Sequence, residues 1–554
     1  MSNSNRKNDN NFIAQASILA VAGIITRIIG LLYRSPLHGV IKDLGMGYYS
    51  SAYSYYTIVL LISSYSIPSA VSKVIAQKLA LKEYKNAHRF FYGSLAYVLV
   101  VGGIASLFLF FGAGLFVETE AIPVLRVLAP TVFIYGILGV LRGYFQAHKS
   151  MVQTSVSQIF EQIANAVVSV GAAYIFIKVF MGSMEMPPEG SAEFIDRAVY
   201  GAMGSALGTG VGVLVALLVM LGVYALNRRF ILKRVERDRH TEVDSYGSII
   251  KTITAVVTPF ILSTAIYNLS DSVNTKLYTD FYPEFKNLEN VFITTRWGIF
   301  AGQARTISNI PIAFAAAMAA AMIPTVAQLT AAKDLDTASE KVGVAVKTTM
   351  LISIPSAVGL FALAKPITSL LFTNDEAAMD LAGKTLMALS LSVIFYALST
   401  LNSNILQGIG KVKTPIYNAA IALTVQTGLA LLLLYFTEAD VYSIAIANTV
   451  YSGLMCILNQ LAVRRALGYR QEIYSTFVLP FVASAIMGAA GFGVYEIMFV
   501  LTDSMRISAI PALIVSVAVY FVALILIKGL TEDELKAIPK GTAIIKVAKK
   551  LHLM

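Results

Sequence analysis

The sequence predicts an all-α integral membrane protein of fourteen transmembrane helices, built as two six-helix lobes related by a parallel pseudo-two-fold repeat, plus two extra C-terminal helices. Three observations lead there. The chain of 554 residues is 56% hydrophobic and only 14% charged, with a mean hydropathy of +0.69, whereas soluble domains carry roughly 25% charged residues. Apolar runs long enough to cross a bilayer recur along the whole length. Two of these runs end in sequences that reappear in the same order, on the same side, at an offset of about 260 residues.

The runs fall at about 13–34, 48–76, 90–116, 121–146, 153–180, 198–226, 249–278, 291–329, 344–373, 379–407, 414–436, 441–463, 475–500 and 508–528. The polar leader MSNSNRKNDNNF runs into the first of them, and no small-residue cleavage site follows, so the first helix is expected to stay. Loops after the even-numbered spans are basic: Lys78, Lys82, Lys85 and Arg89; Lys149; Arg228 to Arg239; Lys333 and Lys341; Lys411 and Lys413; Arg464, Arg465 and Arg470. Loops after the odd-numbered spans are mainly acidic or neutral, as with Glu118 and Glu120 or Asp280, Glu284 and Glu289, and only a few basic residues such as Lys42, Arg197, Lys286 and Arg506 break the pattern. The positive-inside rule therefore puts both termini in the cytoplasm. The same loops explain the net charge of +11, which reads as topology and attraction to anionic headgroups, with no nucleic-acid motif to compete. One cysteine, Cys456, excludes an internal disulfide and a multi-thiolate metal site.

The repeat is visible in IPSAVSKVIAQ from Ile67 against IPTVAQLTAAK from Ile323, and in LRGYFQAHKSMVQTS from Leu141 against LNSNILQGIGKVKTP from Leu401. It divides the chain into an N-lobe at 1–232, a C-lobe at 233–468 that begins with the basic linker, extra spans at 469–530 and a basic cytoplasmic tail at 531–554. A duplication of this kind puts a substrate site between the halves near the midplane. Arg27 lies in the first span and Arg305 near the middle of the eighth. An arginine at that depth costs about 2.5 to 3.5 kcal/mol even on lenient insertion scales and cannot shed its proton, so it points to an anion-binding cavity or a buried ion pair.

Taken together, the stretch TRIIGLLYR closing the first span, the Ile-Pro at the ends of the second and eighth, Arg305 ahead of Pro324, and the loops after the fourth and tenth carry a family resemblance. The chain resembles the multidrug/oligosaccharidyl-lipid/polysaccharide exporter superfamily and, within it, the lipid II flippases and the related stage V sporulation protein B group. That resemblance covers the chain from Phe12 to about Lys528. It implies a non-enzymatic transporter in the bacterial plasma membrane, with no cofactor but with an ion gradient or the membrane potential as its drive, that moves an undecaprenyl-diphosphate-linked peptidoglycan precursor from inner to outer leaflet by alternating access between two lobes. The implied partners are the lipid-linked diphosphate oligosaccharide, membrane lipids and cell-wall synthesis proteins, with the chain acting as a monomer.

A diphosphate suits the planar fork of a guanidinium. Arg27, Arg34 and Arg305 match the family's functional arginines, and Arg296 is added to them as a cavity residue. The alternatives are snorkelling for Arg34, and an ion pair with Asp271 or Glu161 for the deeper arginines. Glu161, inside the fifth span, reads as a protonation switch, a partner for a base or a neutral structural acid. Asp271, Asn268, Asn418 and Asn448 are the candidates for ion coupling; the eleventh span lacks the acid that sodium-binding members of the family use, which counts against sodium and leaves a potential-driven or proton-linked cycle equally open. Tyr48, Tyr49, Tyr53, Tyr55 and Tyr56 stand where family members carry a base, and read as an interfacial aromatic belt, with sugar stacking as the alternative. Pro68, Pro311 and Pro324 are hinge candidates, with static kinks as the alternative. Gly204, Gly208 and Gly212 give two overlapping GxxxG spacings, expected to serve packing within the chain.

Three other functions compete. A multidrug extruder of cations calls for an acidic cavity, while the charges at depth here are mainly arginines. Export of another lipid-linked glycan fits the same residues as lipid II does. A membrane enzyme needs a catalytic outer loop, and the five histidines are scattered without metal-like spacing. No GxxxxGK[ST] loop occurs to bind ATP.

Overall fold

A computed structural model describes residues 22–23, 25–65, 67–148, 150–238, 243–372 and 375–529, apart from the side chains of 65, 257–268, 314, 317–325, 327–328 and 331. The expected tail at 531–554 lies outside these residues, as does the start of the first span. The fold is all-helical. Among the described residues, eleven stretches are long and apolar enough to cross a membrane. The other expected spans, 13–34, 249–278 and 291–329, include residues or side chains outside the description. The chain divides into two compact units, Met1–Gly302 and Gln303–Met554.

In the first unit, residues 25–32 are helical and lead into α1 (Arg34–Leu60), a π-helical turn (Leu61–Tyr65) and α2 (Ile67–Ala80). Then come α3 (Tyr84–Phe111), α4 (Ile122–Ala147), α5 (Val152–Met181), α6 (Ala192–Glu236), α7 (Tyr246–Lys276) and α8 (Asn290–Trp297). The connection expected around 35–47 is itself helical, interrupted only at Lys42, where φ is 59° and ψ is −175°. His38 Nε2 and Asp43 Oδ1 lie 2.8 Å apart across that break. Two glycines make the next crossing possible. A Cβ on Gly47 would stand 2.1 Å from the Thr294 carbonyl oxygen, and one on Gly298 would stand 2.0 Å from that of Asp43, so only hydrogen fits where α1 meets the α8 segment.

The glycine spacing on α6 has the same cause. Cβ atoms on Gly204, Gly208 and Gly212 would lie 2.4 Å from Ala173, 2.1 Å from Ser169 Oγ and 2.7 Å from the Glu161 carbonyl oxygen, all on α5. The ladder thus brings two helices of one chain into backbone contact, as small residues do where lipid supplies no hydrophobic drive between helices. Leu99, Val100, Ile104, Leu107 and Phe111 on α3 remain exposed, which is the apolar exterior a bilayer requires.

The second unit contains α9 (Arg305–Ala331), α10 (Leu335–Ala362), α11 (Ala364–Leu371), α12 (Glu376–Gly408), α13 (Lys413–Phe436), α14 (Val441–Leu467), α15 (Leu479–Thr502) and α16 (Met505–Leu526). Its starts are conventionally capped: Asp334 accepts from Thr337 N and Asp375 from Ala378 N, each satisfying a donor the helix cannot pair itself. Val342, Met350, Leu398, Leu401 and Val463 build its main core, while Met487, Tyr520 and Leu524 join α15 to α16.

Candidate functional site

Polar groups inside an apolar bundle need partners, and the partners locate the site. Glu161 on α5, which the sequence left without an evident partner, receives a 2.7 Å hydrogen bond from Arg142 Nη2 on α4, and Arg142 Nε donates to Ser157 Oγ at 3.0 Å. Arg142 is almost fully buried, its side chain 5% exposed against 23% for Glu161. The sequence reading passed over Arg142, because LRGYF stands at the inner end of its span and looks like the start of a basic loop. The available signal was its neighbour: an acid one span on needs a base.

The open side of Glu161 faces a cavity of about 230 Å³ within the first unit, whose walls include Tyr53, Tyr56, Tyr135, Gln162, Asn165 and Thr209. The tyrosines expected as an interfacial belt therefore do other work. Tyr48, Tyr49 and Tyr56 are buried in the core with Leu125 and Leu128, because α1 crosses α4 and α6 at this level. Tyr49 stacks on Tyr53 with centroids 5.5 Å apart and shares a 3.2 Å hydrogen bond with Thr209. Tyr53 remains 37% exposed.

The expected arginines can now be placed. Arg27 is exposed on the helical residues 25–32. Arg34 opens α1, donates to the Gly302 carbonyl at 3.4 Å and acts electrostatically on both Tyr49 and Tyr53. Arg296 lies over the Phe292 ring, 5.0 Å from its centroid. Arg305, in the second unit, is the first residue of α9 and directly follows a seven-residue π-helical stretch, Gly298–Ala304, a distortion frequent at functional positions. Asp271 is partly buried on α7, where its carbonyl accepts from Thr275 Oγ1 at 2.8 Å.

Among the other candidates, Asn418 donates to Asn459 Oδ1 at 2.8 Å, and Asn459 donates to Ser403 Oγ at 2.8 Å. Asn418 is thus tied into a neutral amide and hydroxyl network linking α12, α13 and α14. Pro68 is packed tightly: a Cβ on Gly143 would lie 2.6 Å from its carbonyl oxygen, and one on Gly139 would lie 3.3 Å from its Cδ. Pro311 is buried in α9. The side chains of Asn268 and Pro324 lie outside the description. Among the described residues, no group of three or more His, Cys, Asp or Glu is placed to hold a metal ion.

Between α3 and α4, Glu118 accepts from Thr294 Oγ1 at 3.0 Å and so joins that connection to α8. Burial pushes its carboxyl up to about 8; the Thr294 hydrogen bond opposes that, while the charges of Glu120 and Asp280 add to it.

A family model described as lipid II flippase MurJ matches residues 85–510. The lipid II flippase MurJ of Bacillus subtilis (strain 168) is 25% identical over 493 residues, which covers 85% of this chain and 86% of that one. Stage V sporulation protein B of the same organism is 24% identical over 538 residues, covering 95% of this chain and 98% of that one. Among solved structures, lipid II flippase MurJ in an inward closed conformation matches with a TM-score of 0.61 and 15% identity, over 92% of this chain and 97% of that one. At that identity the likeness establishes a shared fold.

Proposed function

The chain belongs to the MurJ family of lipid II flippases, and on that premise we propose that it carries an undecaprenyl-diphosphate-linked peptidoglycan precursor from the inner to the outer leaflet by alternating access between two lobes. The observation that carries this reading is the family match, which spans residues 85–510 rather than one motif. The physical chemistry agrees with it. Guanidinium groups at Arg27, Arg34, Arg296 and Arg305 suit a diphosphate, and each is costly in an apolar span unless an anion or water repays it. In this reading the chain has fourteen spans in two duplicated lobes plus two helices, with both termini cytoplasmic. Pro68, Pro311 and Pro324 are the candidate bending points.

A second reading, export of another lipid-linked glycan, is favoured by the near-equal identity to stage V sporulation protein B, at 24% over a larger share of the chain. Both readings use the same diphosphate grip. Reconstitution into proteoliposomes separates them: fluorescent lipid II and a second undecaprenyl-diphosphate glycan are supplied, and outer-leaflet label is measured by quenching. Translocation of lipid II that is lost in Arg34→Ala and Arg305→Ala supports the flippase. Translocation of the second glycan alone favours the exporter, and transport indifferent to both substitutions removes the arginines from the mechanism.

A further inference from the structure

We propose that the cavity beside Glu161 is a saccharide subsite, which takes the first sugar ring of the carried lipid while its diphosphate lies against Arg27 and Arg34. This rests on the transport reading above and adds a place and a chemistry to it.

The argument begins with the position of Gly30. A Cβ there would lie 3.2 Å from Gln162 Nε2, so this face of the first helix passes directly over the wall of the cavity. Residues 27, 30 and 34 are spaced i, i+3 and i+7 and share one helical face. The helix is continuous through them, with Tyr33 N donating to the Ile29 carbonyl at 3.1 Å and Leu37 N to that of Tyr33 at 3.0 Å. The two arginines therefore flank the cavity wall along one stripe, and Arg34 acts electrostatically on Tyr53, as Glu161 does. In a polyprenyl-diphosphate glycan the first sugar is bonded directly to the second phosphate, so a grip on the phosphates leaves that ring in the adjoining space.

The lining suits such a ring. A pyranose has faces of C–H groups, which pack on aromatic rings, and a rim of hydroxyls, which need both donors and acceptors. Tyr53 and Tyr56 present rings with centroids 5.4 Å apart at an angle of 45°, forming an aromatic corner rather than a flat stack. Gln162 and Asn165 supply amides. Glu161 supplies a carboxylate whose Oε2 is held by Arg142, leaving Oε1 without a hydrogen bond among the described residues. Arg142 matters here as a positioning residue, because it keeps the carboxylate oriented towards the cavity. At about 230 Å³ the space is far larger than the roughly 10 to 15 Å³ that a single water needs, which is generous for an ion. The walls mix aromatic and aliphatic surface with polar groups in nearly equal share, which suits a ring with apolar faces and a hydroxyl rim.

The test uses the full-length protein in nanodiscs and two probes, undecaprenyl diphosphate and undecaprenyl-diphospho-N-acetylhexosamine, with affinities compared by native mass spectrometry. The expected result is a preference for the sugar-bearing lipid that falls by about fivefold in Tyr53→Ala and in Gln162→Leu, and is kept in Tyr53→Phe, which retains the ring. Equal binding of both lipids by the unsubstituted protein, or a preference that survives Tyr53→Ala and Gln162→Leu together, overturns the subsite and leaves the transport reading standing. Binding of neither lipid overturns both.

Discussion

The two units handle polar groups inside the membrane in opposite ways. In the first, Arg142 and Glu161 form a pair with one side on a tyrosine-lined cavity, and the first helix passes over the cavity wall at Gly30. In the second, Asn402 donates to Gln460 at 2.8 Å, Asn418 to Asn459 at 2.8 Å, and Tyr396 to Asn448 at 3.1 Å, a neutral set of amide and hydroxyl pairs. Charge kept open to a cavity costs stability unless something uses it, whereas amides paired with one another mainly hold helices together. The comparison sets a charged pair on a cavity in the first unit against a scaffold role for the interior of α12–α14, while the charged Arg305 stands apart at the head of α9.

Substitutions can break that contrast, and they rank by size. Arg142→Met leaves Glu161 charged without its partner and should cost about 2 kcal/mol or more, somewhat below a fully buried pair because Glu161 faces the cavity. The double variant Arg142→Met/Glu161→Leu should recover most of the loss in thermal unfolding, and no recovery would mean the pair is not what the first loss reports. Gly208→Ala should follow at about 1 to 3 kcal/mol, since the new methyl would meet Ser169 at backbone distance. In the second unit Asn459→Leu removes the hydrogen bonds to Asn418 and Ser403 and the longer ones to Ser399, and should cost about 1 kcal/mol, measured the same way, with transport retained. Gly428→Ala meets nothing within 4 Å and should be neutral or stabilising by up to about 0.5 kcal/mol.

A pH experiment sharpens the picture at the α3–α4 connection. Glu118 holds its proton up to about 8 in the folded chain, against an ordinary value of 4.5. Between those values the folded form binds a proton that the unfolded form has lost, so stability is greatest below the window and declines as pH rises through it. Glu118→Gln should flatten that decline in unfolding midpoints taken between about pH 5 and about pH 9. A slope identical to that of the unsubstituted protein would assign the pH dependence to other groups.

Much of the fold was legible because a bilayer permits few solutions: long apolar runs become helices, and the glycine spacing on the sixth span became a close crossing. What stayed hidden depends on which way a helix turns. Five tyrosines near a predicted boundary look like a belt, yet Tyr48, Tyr49 and Tyr56 face inward, and nothing in their spacing distinguishes the two. The break at Lys42 and the π-helical stretch before Arg305 arise from packing against neighbouring helices, which no local propensity encodes. Arg142 was missed for a plainer reason, since a base near a helix end is usually topology.

The central claim is that this chain carries a diphosphate-linked glycan lipid through arginine contacts. Its most direct test is native mass spectrometry of the purified protein offered lipid II, another undecaprenyl-diphosphate glycan and a cationic dye, with Arg27→Ala and Arg305→Ala alongside. The account predicts selective retention of the diphosphate lipids, lost in both variants; binding of the dye alone, or lipid binding indifferent to both substitutions, would contradict it.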